Sequence, residues 1–212
     1  MVVRCTGKLL NLLGGHSVAL VDSPPSTDDW YANLLWVDQR KCLLVAHAGT
    51  LFALFVADIR VNDLRPFERR IVELLTGALL EEGLPSDALG RLEPNEVRLA
   101  KTASRHVLGV MNQMALEIGW HVDPVGGLWN IDVDGLNRHL RRSLHTKDGD
   151  YRVPLELVHE GLQRRDPQRS PRLSRLRSEF PAPTGSGRSS SFNGASGFPA
   201  AKGLEARPLG GE

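Results

Sequence analysis

An α+β fold, with a small and mostly antiparallel sheet covered by helices, is expected from three features of this 212-residue chain. Three apolar runs, ANLLWV (32–37), CLLVAH (42–47) and TLFALFVA (50–57), are separated only by DQRK and AG, which is the pattern of a three-strand meander. Phe67, Ile71, Leu74, Leu75, Ala78 and Leu79 recur at helical spacing. Two short extended pieces flank these, one at Val2 to Cys5 and one at Glu96 to Lys101, where Val97 and Leu99 alternate with Arg98.

Along the chain, the N-terminal strand is followed by Thr6, which can cap a brief helix ending near Leu13. Residues 18–29, with Pro24 and Pro25, read as irregular. The meander runs barely alternate. They are apolar on both sides, so the sheet needs cover on both faces, from helices or from a second subunit. A helix over 65–83 is stopped by Gly83 and Pro85. After the later strand a helix runs to about Gly119, and two shorter helices, 135–144 and 154–163, complete a single domain over 1–164.

The remainder, 165–212, differs in kind. It holds 6 Pro, 7 Gly and 8 Ser, and 8 basic residues against 4 acidic ones, so it is expected to be a disordered basic tail. The domain itself carries 18 basic and 21 acidic residues, unlike the basic face of a dedicated DNA-binding domain. Cys5 and Cys42 have no CxxC or histidine partner and read as buried, reduced thiols. The N-terminal apolar run is broken at Asn11 and by Gly14, Gly15 and His16. Neither signal peptide nor membrane span is expected, and the location is expected to be cytoplasmic.

The stretch AKTASRHVLGVMNQ (100–113) concentrates the chemistry. Lys101 ends a strand, Thr102 or Ser104 can cap the next helix, and Arg105 follows the cap. Helix starts expose unpaired N–H groups and partial positive charge, so two cations there suit an anion. Arg105, Gly109 and Asn112 share one helical stripe, and the glycine is expected to admit a close neighbour, whether ligand, helix or strand. The plainer alternative is a capped helix with solvated charges.

RCTGKLL, DDWYANL and AKTASRHVLGVMNQ together resemble, in order, three boxes of a bacterial family of unknown function, DUF6933. The boxes run roughly R-x-T-x-K-L, D-W-Y-A-N-L and K-T-x-S-R-x-V-L-G-x-M-N, and the resemblance spans about Val2 to Leu162. It places Arg4, Thr6, Lys8, Trp30, Tyr31, Asn33, Lys101, Thr102, Arg105, Gly109 and Asn112 on family positions. His106 and Gln113 depart from the usual Ser and Asp. The resemblance implies no particular activity. It does group the polar residues: if β-strands carrying Arg4 and Lys101 are neighbours, Arg4, Thr6, Lys101 and Arg105 converge on one helix start.

Three functions are therefore weighed. The first is a non-enzymatic binding or regulatory domain holding a nucleotide or nucleic-acid phosphate through Arg4, Thr6, Asn33, Lys101, Thr102, Ser104, Arg105 and Asn112, with Trp30 and Tyr31 stacking or anchoring. The second is a metal-independent phosphodiester or phosphoryl-handling enzyme using His106 or His47 as acid–base. The third is an interaction module forming a homodimer through its sheet. No cofactor or metal is expected: NIDVDG (130–135) imitates a calcium loop, but Asn130 stands at its first position and Arg141 at its twelfth. No HExxH, P-loop or GxSxG pattern occurs.

Overall fold

A computed structural model describes residues 1–147 and 149–165, and all but the first residue of the expected tail lies outside them. The fold is α+β, around a five-stranded sheet of order β4-β3-β2-β1-β5. Strands β2 (Trp30–Val37), β3 (Arg40–His47) and β4 (Ala53–Val56) form the expected antiparallel meander. The β2–β3 turn is made by Asp38 and Gln39 at φ 47° and 59°, the left-handed geometry of a two-residue hairpin. Strand β1 (Val2–Cys5) is parallel to both neighbours, β2 and β5 (Arg98–Lys101). Parallel pairing requires long crossovers. Helix α1 (Gly7–Leu13) with the 18–29 loop, and α2 (Phe67–Glu81), lie on those connections.

The third apolar run enters the sheet late. Its first residues form a turn in which the Leu51 N–H donates to the His47 carbonyl (2.8 Å) and Leu51 sits at φ 58°. Gly49 is required there, since a Cβ would stand 2.7 Å from the Thr27 carbonyl oxygen.

The pleat sorts the meander's two-sided apolarity into two cores. Trp30, Ala32, Leu34, Leu43 and Val45 join α1, α2 and α5 (Pro154–Arg165) on one face. Tyr31, Cys42, Leu44, Ala46 and Phe55 join α3 (Arg105–Val122) and α4 (Val133–Arg142) on the other. Both faces are thus covered by the chain's own helices, and the apolar runs need no second subunit. Cys5 and Cys42 are free and buried, one on each face. A small hairpin, β6 (His145–Lys147) and β7 (Asp150–Arg152), precedes α5; its short polar strands give no periodic signal in sequence.

Helix caps follow the residues that favour them. Ser104 Oγ accepts from the Val107 N–H, and Asp132 Oδ1 from the Gly135 N–H. Helix α4 also closes the open edge of the sheet. The Asn137 side chain both accepts from the Phe55 N–H (2.7 Å) and donates to the Phe55 carbonyl (2.9 Å), replacing the missing strand. One turn on, buried Arg141 donates Nε to the Ala53 carbonyl and Nη1 to Glu82, with its guanidinium 4.9 Å from the Phe52 ring. The arginine that spoils a calcium loop is therefore a clamp between β4 and the end of α2.

Asn137→Ala is expected to lower stability by about 1–3 kcal/mol, because it strands two buried backbone groups of β4. Chemical denaturation measures the loss, and an unchanged midpoint would mean the edge is satisfied without the side chain.

Candidate functional site

Strands β1 and β5 lie side by side, parallel, with Cys5 opposite Lys101, so both end at the same edge. The helices that follow them diverge: α1 packs on one face of the sheet and α3 on the other. The strand ends between the two helix starts are left uncovered, with Gly7, Lys8, Lys101 and Arg105 exposed and Thr6, Thr102 and Ser104 half-buried. This is a topological switch point, the place where open α/β sheets form their ligand crevices.

The polar groups there are ordered from below. Tyr31, fully buried in β2, accepts the Ser104 N–H on its hydroxyl (3.1 Å), tying β2 to the start of α3. Thr6 does not cap α1 with its side chain; its hydroxyl donates instead to Asn33 Oδ1 (3.0 Å). Helices α2, α4 and α5 each carry an acidic residue in the first turn, namely Glu68, Asp134 and Glu156, whereas α1 and α3 carry none. Lys8 and Arg105 stand there instead. Among the described residues, the side chains of Lys101 and Arg105 make no hydrogen bond or ion pair.

Arg4 reaches the same edge but faces inward. It is 2% exposed and pairs with Asp29 through Nε. Nη1 donates to the Lys101 carbonyl (3.2 Å), and Nη2 donates to the carbonyls of Ser23 (2.9 Å) and Pro24 (2.7 Å). Asp29 also accepts the Ser26 N–H. The guanidinium is thus committed to holding the 18–29 loop and the end of β5 in place.

The remaining sequence candidates separate. Trp30 has no exposed surface and packs in the core of the opposite face from Tyr31, its ring 4.9 Å from that of His47. Asn112 is exposed on the Arg105 stripe, about 10 Å further along the axis at 1.5 Å per residue. Gly109, on that stripe, has nothing within 4 Å of where a Cβ would stand. The close neighbour expected there is absent among the described residues, because the stripe faces outward rather than onto the sheet.

Of the two histidines, His106 is exposed on the first turn of α3. His47 is buried beside Trp30, away from the strand ends, and lines a separate cleft with residues of α5. Burial, reinforced by Arg165, pulls its pKa from 6.5 down to about 4. A surface aromatic group also escaped the sequence analysis. Trp36 and Trp129 are exposed, with the Arg40 guanidinium 4.2 Å from the Trp129 ring. Only the alternating position of Trp36 in β2 hinted at its exposure. Among the described residues, no cluster of His, Cys, Asp and Glu is placed to hold a metal ion, and no helix is long and apolar enough to cross a membrane.

Fold and strand ends together define an α+β domain whose mixed sheet sits between two helical layers and opens a polar switch point at one edge. The chain belongs to the family described as Domain of unknown function (DUF6933), whose model matches residues 2–157. No curated protein and no solved structure matches it.

Arg4→Ala is expected to cost about 3–5 kcal/mol, since it leaves Asp29 buried without its counter-charge. Arg4→Lys should recover little, a point charge being unable to reach four acceptors on two segments. Equilibrium unfolding of the two variants checks this; a loss below about 1 kcal/mol, the value of an exposed pair, would show that the ion pair is solvated.

His47 gives a pH dependence of definite sign. Its folded pKa lies below the unfolded value of 6.5, so the unfolded chain binds the extra proton. The stability from neutral His47 is complete above pH 6.5 and is lost as pH falls towards about 4, by roughly 3 kcal/mol. Unfolding free energies across that window should slope for the native protein and flatten for His47→Gln. Equal slopes would place the proton uptake elsewhere.

Proposed function

We propose that this protein is a non-enzymatic binding or regulatory domain that holds a phosphate-bearing ligand, a nucleotide or nucleic-acid phosphate, at the ends of β1 and β5. The observation that carries the proposal is the divergence of α1 and α3 from adjacent parallel strands, which leaves the start of α3 open at a switch point. The N–H groups of Arg105 and His106, without a partner among the described residues, donate to an anion there, since Ser104 already caps Val107. Arg105 and Lys101 add charge, and Thr102, Thr6 and Asn33 add side-chain hydrogen-bonding groups. Arg4 contributes by fixing the Lys101 carbonyl, and Tyr31 by fixing Ser104.

The absence of acid in the first turns of α1 and α3 supports the same assignment, because a carboxylate there would otherwise neutralise the helix starts. The mildly acidic domain confines this attraction to one place and argues for a single phosphate group rather than a long nucleic-acid track. The groups gathered at the strand ends supply donors and positive charge without a paired general base, which favours holding over turnover.

Thermal shift with inorganic phosphate, mononucleotides and short oligonucleotides tests the proposal, since a ligand of the native state raises its stability by mass action. Arg105→Ala should remove most of the ligand-dependent gain, about 1.5–3 kcal/mol for a charge-assisted contact, while costing the unliganded protein little. Lys101→Ala should act in the same direction but more weakly. Gly109→Ala should stabilise the unliganded helix by up to about 1 kcal/mol without changing the ligand response. If Thr102 and Ser104 variants lose stability while neither cation alters any ligand response, the junction is only a capped helix.

A further inference from the structure

The outward side of α3 carries a seam that the rest of the described chain leaves bare. Arg105, Gly109, Asn112, Leu116, Gly119 and Asp123 succeed one another at alternating spacings of four and three residues. Such spacing keeps them on one side of the helix, within about 80° of arc. Val107, Met111, Met114 and Ile118 fill the opposite, buried side. Gly119 is half-buried and the other five are exposed. Leu116 is 60% exposed, and Trp120, at the border of the same stripe, 67%. A lone exposed leucine is ordinary, but a leucine and a tryptophan one turn apart on a heptad stripe form the kind of seam that pairs helices.

The charges on this seam stand at the wrong ends of their own helix. Helix starts favour anions and helix ends favour cations, yet α3 has Arg105 in its first turn and Asp123 just past its last. Neither side chain makes a hydrogen bond or ion pair among the described residues. Position 114 also divides the stripe into halves that match in reverse. Arg105 and Asp123 stand nine residues to either side of it, Gly109 and Gly119 five, and Asn112 and Leu116 two. Leu108 and Trp120 stand six to either side. Among the described residues, neither Gly109 nor Gly119 has anything within 4 Å of a Cβ position, so another backbone can come close to both.

We propose that this seam is an interface with a second copy of the chain, the two α3 helices packing antiparallel about a two-fold axis at position 114. A two-fold interface must be complementary to itself, and this stripe is so in charge, in apolar groups and in shape. Turning one helix end for end sets Arg105 against Asp123 of the other copy, and brings each charge to a helix end of opposite sign. The glycines at 109 and 119 meet and let the backbones approach. Trp120 covers Gly109 and the half-buried Leu108 of the other copy. Asn112 falls beside Leu116 near the axis, where a single polar group fixes register at some cost in affinity. One helix pair is at the small end of specific interfaces, so the dimer is weak and forms with rising concentration. It does not involve the sheet, whose faces the chain's own helices cover.

Analytical ultracentrifugation of the full-length protein from about 1 to 500 μM reads the association. The buffer is free of phosphate, because an anion at the strand ends would compete for Arg105. The native chain is expected to pass from monomer towards dimer over that range. Trp120→Glu alters an exposed side chain and leaves the monomer folded, and it should raise the dissociation constant about tenfold or more, as loss of an aromatic anchor does. Arg105→Asp and Asp123→Arg should each weaken the dimer. The two together should restore it, since the facing charges are then exchanged rather than opposed. Gly109→Leu should also weaken it while leaving the melting temperature of the dilute protein equal or higher, leucine being the better helix former. The proposal is overturned if the native chain stays monomeric throughout, which would leave the seam to a different partner. It is equally overturned if Trp120→Glu dimerises as the native chain does, or if the double reversal associates no more strongly than either single one.

Discussion

Arg4 and Asp29 set the geometry on which the polar edge of the sheet depends. Removing a guanidinium and a carboxylate from water is tolerable only when both are paired and their remaining hydrogen-bonding capacity is met. Arg4 meets this by gathering acceptors from Asp29, Ser23, Pro24 and Lys101. Two stretches of chain far apart in sequence, the 18–29 loop and the end of β5, are thereby fixed to β1. Holding the Lys101 carbonyl sets where β5 stops, and so where residues 102–104 turn and α3 begins. The Tyr31 hydroxyl, on the same side of the sheet, completes the arrangement by receiving the Ser104 N–H. The exposed cations of the strand ends thus stand on a buried, fully paired one.

The same economy governs the rest of the sheet. Its meander is apolar on both sides, and the helices divide between the two faces so that neither core is exposed. The cost of that layout is a free edge at β4, which Asn137 and Arg141 of α4 satisfy with side chains in place of a strand. Glu82, its side chain almost fully enclosed, receives both Arg141 and Arg142 and ties the end of α2 to α4. These guanidiniums hold the Glu82 carboxyl below its ordinary pKa against the opposing effect of burial.

Local signals were legible where a residue's neighbours in sequence decide its state. The three apolar runs, the helical spacing from Phe67 to Leu79, the Ser104 cap and the burial of Trp30 all belong to this class. Arg4 shows the limit. Its charge suggested a ligand group, and only the meeting of β1 with the 18–29 loop reveals the carboxylate that pairs with it. Gly109 shows another, since helical spacing gave its stripe but not that the stripe would face outward. The β6–β7 hairpin carries too few residues, and too polar a set, for any periodicity to register. Asn137 looked like an ordinary helix residue because nothing local tells that an unpaired strand lies beside it.

By itself the sequence determined the α+β class, the meander, the main helices and the family, because pattern and propensity act over a few residues. The tertiary structure alone decided that β1 is parallel to β5, that α1 and α3 leave on opposite faces, and which cations are spent inside. Those outcomes depend on contacts between residues 25 to 97 positions apart, such as Arg4 with Asp29 and Arg4 with Lys101. A charge in a sequence has no sign of its partner. Only folding, by taking some charges out of water and leaving others in it, separates the arginine that holds the strand ends from the arginine that stands open at them.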